Sequence, residues 1–338
     1  MFNTNKLINY QNVLSLPMVI TIIIGLIVYY IIHFYANLRH YPPGPTPLPF
    51  IGNILLFRNI KRHLNEDLRQ LYDIYGPVVT VWVGPKPVVI VGDPHVVKQA
   101  FSRPEFMGRM DNMLSSILCD SEHRDLLLNS HISSWESLRK VAHIAVRLDL
   151  EYFTKFKYYA TGFLNDMDNT FILCEYIPVC RLFMSDPLAK FRTTYNQCFD
   201  YTLNVLKTHK NTYDESVCRD FCDVYIGAKR KAEVECLPGV QWLTNNNIAA
   251  SLMDVAVAGT ETTYTTIQWM VLFVAYFENW HQKLMVEIDE VLGHRVATMA
   301  DRPRMHCVNA FIAETLRYRT AAPLGYPRVT LSDTTIST

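Results

Sequence analysis

Three kinds of hydrophobic pattern follow one another along this 338-residue chain. The first is uninterrupted: from Leu14 to Phe34 no charged residue occurs, which matches the roughly 20 apolar residues a helix needs to cross a bilayer. The run is terminal, uncapped and apolar all round, which argues against a buried core helix. It is too long for a cleaved signal peptide and leads into the larger Tyr35, Asn37 and Leu38. Only Lys6 precedes it, whereas Arg39, Arg58, Lys61 and Arg62 follow. The positive-inside rule then leaves the remainder cytosolic, with Tyr29, Tyr30 and Tyr35 at the interface. The second pattern is β-branched: Val78 to Trp82 and Val88 to Val91, bounded by Gly76-Pro77, Gly84-Pro85 and Gly92-Asp93-Pro94, predict a β-hairpin. The third is helical. It covers a segment starting at Pro94 with Val96, Val97, Ala100 and Phe101 on its apolar face, and then Trp135–Leu148, Pro187–Lys207, Val217–Val234, Asn247–Phe277, His281–Leu292 and Val308–Tyr318.

Between the apolar run and the hairpin, five prolines fall between Pro42 and Pro49. They fix φ and forbid helix, so the segment reads as a stiff extended spacer. The predicted organisation is a membrane anchor over residues 1–40, a proline-rich hinge over 41–53 and one predominantly helical body over 54–338. The fold class is mainly α with a small β-sheet and a single N-terminal transmembrane helix.

Composition narrows the function classes. Lysine plus arginine equals aspartate plus glutamate at 32 each, so no general cationic excess recruits nucleic acid. The hydrophobic share of 49% argues for a folded core. None of the eight cysteines forms a C-x-x-C pair or a zinc spacing with histidines. Cys218 and Cys222 share a face of a predicted helix, but no further ligand is evident in the sequence, and thiols of a reducing compartment are the plainer reading.

The chemistry-bearing residues interrupt apolar helices. Asn247–Phe277 is hydrophobic on nearly every face and is expected to run through the interior, yet its centre reads Ala258-Gly259-Thr260-Glu261-Thr262-Thr263. Gly259 removes a side chain where something bulky approaches, and the polar residues beside it favour a local kink. Thr262 and Glu261 would offer a hydroxyl and an acid for proton delivery. Taken alone, threonines bonded back to their own helix carbonyls explain the string equally well. Glu314 and Arg317 share a helix face within Val308–Tyr318, where the surrounding residues suggest a buried pair in need of further partners. Trp135 and Arg139 stand one turn apart. Arg109, in Phe106-Met107-Gly108-Arg109, and Arg328, in Gly325-Tyr326-Pro327-Arg328, add guanidinium forks suited to carboxylates.

In this order, the anchor, hinge, hairpin, Trp135/Arg139, Ala258 to Thr263, Glu314/Arg317 and Pro323 to Arg328 resemble the cytochrome P450 superfamily. The subgroup most similar is the animal microsomal one of steroid 17-alpha-hydroxylase and the dioxin-inducible hydroxylases. The resemblance implies the P450 fold, a haem b cofactor and a monooxygenase that hydroxylates a lipophilic, possibly steroidal, substrate with dioxygen. It also implies electrons from NADPH-cytochrome P450 reductase and a single-pass place in the endoplasmic reticulum membrane. By the same resemblance, Glu261 and Thr262 are catalytic, and Arg109, Trp135, Arg139, Ala258, Gly259 and Arg328 contact the haem. Glu314 and Arg317 lock the core. The family's iron-binding cysteine lies in an F-x-x-G-x-x-x-C loop downstream of the Glu314/Arg317 helix. No cysteine of this sequence stands in such a loop, so no metal ligand is assigned, and the fold is expected to be incomplete, with the long helix partly uncovered. The alternative is a catalytically inactive truncated variant or fragment, membrane-bound and without stable haem ligation. The interval between Arg139 and Gly259 is also short for the family, as if an internal segment were missing.

Overall fold

The computed structural model describes residues 16–57, 64–120, 124–145, 166 and 170–335. Arg58, Lys61 and Arg62, invoked for the orientation of the anchor, lie outside the described residues, as do the ends of the predicted segments at Leu14 and Leu148. Contacts group the chain into two compact units that meet in sequence at Ala100 and Phe101. The described residues are mostly helical.

In the first unit the apolar run forms one helix, α1 (Leu16–Asn37). Mean hydropathy over Pro17–His40 is 2.2, and almost none of this stretch is covered by protein. Its one buried residue among those described, Phe34, meets Trp82 edge-on at 5.0 Å, and Tyr30 stacks on Phe50 at 4.5 Å. A helix not anticipated from sequence, α2 (Leu64–Tyr75), precedes the hairpin. Strands β1 (Val78–Val83) and β2 (Lys86–Val91) pair antiparallel, Val78 with Val91 through Val83 with Lys86. Gly84 supplies the positive φ that the turn needs. Helix α3 (Pro94–Phe101) starts on proline, as its sequence predicts.

The proline-rich segment is not a free spacer. It is extended as expected, but it is docked on β1: the Thr80 amide donates to the Pro43 carbonyl at 3.0 Å, and the Asn53 side chain accepts from the Trp82 amide at 2.8 Å while donating to the carbonyls of Pro45 and Thr46. Gly44 permits this approach, since a Cβ there would strike the Thr80 carbonyl.

The second unit is a helical bundle with a two-residue sheet, β3 (Gly108–Arg109) antiparallel to β4 (Arg328–Val329). Its helices are α4 (Ser115–Leu118), α5 (Ile132–Ala145), α6 (Phe171–Tyr176), α7 (Ala189–Asn211), α8 (Phe221–Val234), α9 (Asn245–Tyr276), α10 (Glu278–Val291) and α11 (His306–Tyr318). Helix α7 buries Phe191, Tyr195, Cys198, Thr202 and Leu206, a stripe at helical spacing. Helix α8 begins later than its apolar pattern suggests, because Asp220 caps it by accepting from the amides of Cys222 and Asp223. Cys218 therefore lies outside the helix and does not share a helical face with Cys222.

Two core clusters flank the first half of α9. One joins Leu138 and Val141 of α5, Leu206 of α7, Tyr225 and Ile226 of α8, and Ile248 and Leu252. The other joins Leu114, Ile117, Leu188, Phe191, Tyr195 and Cys198 to Met253 and Ala256. Full burial of each such Leu, Ile or Phe side chain contributes about 1.5–3 kcal/mol. The expectation of an interior helix holds only for this half. Beyond Ala256 the helix emerges, with Val271 64% and Tyr276 77% exposed. The side chains seen against that half come from α11 and the residue after it: Phe273 meets the Tyr318 ring at 6.0 Å, and Arg319 lies over Trp269 at 5.1 Å.

Candidate functional site

The middle of α9 is where its covered and uncovered halves meet, and Ala258-Gly259 fall there. A Cβ added at Gly259 would meet nothing within 4 Å, and Ala258 and Gly259 are exposed, so the helix borders open space there. The helix is continuous from Asn245 to Tyr276. Its threonines bond backward: Thr260 to the Ala256 carbonyl at 2.5 Å, Thr262 to Ala258 at 2.6 Å and Thr266 to Thr262 at 2.8 Å. Thr262 is exposed and Glu261 half-buried. Thr262 keeps its oxygen lone pairs on the open side while its proton is held on the helix.

N-terminal to this open stretch, α9 holds the segment 124–129 by its backbone. Asn247 accepts from the Arg124 amide at 2.7 Å, and two turns on Asp254 accepts from the amides of Leu126 and Leu127 at 2.7 and 3.1 Å. Neither acid of this region is signalled by a motif. Asp254 is nevertheless the single acid in the apolar first half of α9, one turn before Ala258, and that isolation is the sequence signal that was passed over. Asp125 is 1% exposed; it caps its own turn by accepting from the Leu128 amide at 3.0 Å, and its Oδ2 is buried without a hydrogen-bond partner. Burial pushes the Asp254 carboxyl up to about 7. Burial and then the charge of Asp254 push Asp125 well above the carboxylate range. Burial of both carboxyls, with the charge of Asp254 acting on Asp125, favours their neutral forms.

The segment so held presents Trp135 and the arginines. Trp135 donates its indole N–H to the Leu126 carbonyl at 3.1 Å, and Arg139, one turn further on the same face, stacks over the Trp135 ring at 4.7 Å and is exposed. Arg109 and Arg328 face each other as register partners in β3 and β4. Gly108 permits the close pairing, since a Cβ there would press on the Val329 carbonyl and the Leu331 side chain. Arg109 lies 5.8 Å from the Tyr326 ring, and Arg328 donates to the Phe106 carbonyl at 3.1 Å while lying over Phe101 at 4.1 Å. Burial, then the charge of Arg328, lowers the pKa of Arg109; burial lowers that of Arg328. Two neighbouring guanidinium groups, each disfavoured in its charged form, offer a place for an anion.

Glu314 and Arg317 do pair, bidentate at 2.7 Å for both contacts. The expectation of a buried pair is not met, because the side chains are 62% and 68% exposed on the open face of α11. The structure thus brings Arg109 to Arg328 and Trp135 to Arg139, and it sets Ala258, Gly259, Glu261 and Thr262 along one helix. An apolar groove lined by Met270, Val271, Val274 and Ala275 lies elsewhere, about 16 Å along the helix axis from Gly259 at 1.5 Å per residue.

The model of the family Cytochrome P450 matches residues 42–171 and 148–338. Among curated proteins, the chain is 29% identical to cytochrome P450 2C55 of Rattus norvegicus over 85% of its own length and 69% of that protein's. It is 22% identical to cytochrome P450 1A1 of the same species over 88% and 68%. It is 23% identical to probable cytochrome P450 516B1 of Dictyostelium discoideum over 86% and 69%. The alignment with 2C55 runs over 343 positions, more than the whole chain, so that relative carries residues opposite gaps in this one. With the Ala258 to Thr263 string, the Glu314/Arg317 pair and a family match over most of the sequence, the chain belongs to the cytochrome P450 family, the haem-dependent monooxygenases.

Proposed function

We propose that this chain is a membrane-attached P450 monooxygenase that hydroxylates a lipophilic substrate, with a steroid as the leading class. Its electrons come from NADPH-cytochrome P450 reductase, and α1 anchors it in the endoplasmic reticulum membrane with the rest of the chain cytosolic. The observation that carries this reading is the Arg109–Arg328 juxtaposition on the same unit as the open side of α9 at Gly259. A haem presents a flat apolar ring and two propionate carboxylates. The paired guanidinium groups suit the propionates, and the open side of α9 at Gly259 leaves a face without side-chain bulk for the ring. Trp135 and Arg139 fit less directly, because the indole N–H is already donated to Leu126. Arg139 would have to swing from the Trp135 ring to reach a carboxylate.

When bound, haem supplies dioxygen reduction at iron. The chain's own residues then supply position and protons. Ala258 and Gly259 keep the helix surface low where the ring lies. Thr262 holds a proton at Oγ1 on that open side, and Glu261, on the adjoining position, exchanges protons with solvent. Glu314 and Arg317 pair with each other along the exposed face of α11.

A second reading is a membrane-bound chain without stable haem ligation. Its supporting observation is that Ala258, Gly259 and Thr262 are exposed and that α9 emerges beyond Ala256. Reduced protein exposed to carbon monoxide separates the two. The long-wavelength band of thiolate-ligated ferrous haem supports the enzyme, and haem-free protein or a band without thiolate character supports the second reading.

A further inference from the structure

We propose that His209, Asp220 and Cys222 form a binding site for one thiophilic divalent cation, zinc by preference, that pins the last turn of α7 to the first turn of α8. The site is separate from the candidate haem site and does not rest on the chain being a working monooxygenase. No cysteine–histidine spacing in the sequence announces it, because the histidine comes from a different helix.

Three unlike donors converge there. His209 Nε2, a carboxylate oxygen of Asp220 and Cys222 Sγ all lie within 4.8 Å of one another, and the three side chains are buried. Each is already oriented by its other atoms. The Nδ1–H of His209 donates to the Val205 carbonyl at 2.9 Å, which leaves Nε2 directed at Asp220 Oδ2, 2.8 Å away. That is the outer-sphere arrangement that fixes tautomer and ring plane in metal-bound histidines. Asp220 spends Oδ1 on the amides of Cys222 and Asp223 and keeps Oδ2 for the cluster. Cys222 is the second residue of α8, so capping holds its backbone and brings Sγ to the same place. Asp223 is neutralised by Arg219, which pairs with both of its oxygens at 2.7 Å.

The donor set selects the metal. One nitrogen, one oxygen and one sulfur are too few oxygens for calcium or magnesium, whereas zinc accepts all three at about 2.0–2.3 Å in a tetrahedron whose fourth place goes to water. Reaching those distances requires the His209–Asp220 contact of 2.8 Å to open to about 3.3 Å as Cys222 Sγ closes in. Binding displaces the Cys222 thiol proton and the proton held between His209 and Asp220, and both leave to solvent.

The test uses the full chain in detergent, loaded with zinc or with cobalt(II) as a spectroscopic substitute and dialysed. The expected result is one tightly held equivalent per chain and, for cobalt, a thiolate-to-metal charge-transfer band in the near ultraviolet. Cys222→Ser is expected to abolish the band and His209→Gln to weaken retention at least tenfold, each with unchanged far-ultraviolet circular dichroism. Cys222→Ala is carried in parallel in case the serine hydroxyl perturbs the cap. Folded wild-type protein that retains no more metal than Cys222→Ala, or a charge-transfer band that survives both cysteine variants, overturns the proposal.

Discussion

Asp125 and Asp254 show how a pair of side chains sets the pH response of a segment. Burial raises both, so the folded state binds a proton that the unfolded chain, with aspartate near 3.9, releases. The stabilising contribution of a raised carboxyl is present below the unfolded value and is lost as pH climbs through the folded one. For Asp254 the window runs from about 4 to about 7. Asp125→Asn removes the competing charge while keeping the shape. The expected outcome is that the fall in urea midpoint between pH 5 and pH 7.5 shrinks relative to wild type. An unchanged fall would contradict a contribution from the raised Asp125 carboxyl. The same scale governs Thr262. If its hydroxyl serves proton delivery, Thr262→Ala lowers turnover on the order of 10²-fold with little change in substrate affinity, and Thr262→Ser retains most of it. Equal losses in both variants, or a loss seen only in affinity, would assign Thr262 to packing.

At the scale of elements, caps decide where the long helices begin. Thr244 accepts from the Asn247 amide at 3.1 Å, and Asp220 closes the first turn of α8. Thr244→Ala is expected to cost about 1 kcal/mol of stability, read as a lowered thermal midpoint with secondary structure intact. Leu138, fully buried in the cluster that joins α5, α7, α8 and α9, sets the contrast. Leu138→Ala should cost about 2–5 kcal/mol by transfer and cavity together. Helix α9 also shows what hydrophobic pattern does and does not convey. Its length was legible to within about two residues at each end, since apolar content and helix-forming residues persist throughout. Its environment was not, because an all-round apolar helix is equally apolar whether its second half is covered or bare. The threonines illustrate the same limit: their hydroxyls bond back to their own helix's carbonyls, and the sequence is equally compatible with hydroxyls turned outward. The hairpin was legible because Gly84-Pro85 punctuates two β-branched runs. The β3–β4 pairing was not, because two residues that pair across more than two hundred positions carry no periodic signal.

At the scale of the molecule, the family was legible because its motifs occur in order, and order is a stronger constraint than any one string. Arg109, Trp135, Arg139 and Arg328 are each unremarkable singly, and the structure relates them in two pairs, one across a sheet and one along a helix. What sequence reading passed over lies in long-range backbone contacts, above all the grip of Asn247 and Asp254 on segment 124–129 that presents Trp135. The docked hinge is a similar case, since prolines report stiffness but not the surface against which a stiff segment rests. The account as a whole rests on the Arg109–Arg328 pair as the seat of haem carboxylates. Its most direct test is a haem titration of the full chain in detergent, followed by Soret absorbance, comparing wild type with Arg109→Gln and Arg328→Gln. A hydrogen bond to a charged group contributes about 1.5–3 kcal/mol, so each substitution is predicted to weaken haem binding at least about tenfold with circular dichroism unchanged. Wild-type affinity in both folded variants, or a folded wild-type chain that takes up no haem, would contradict it.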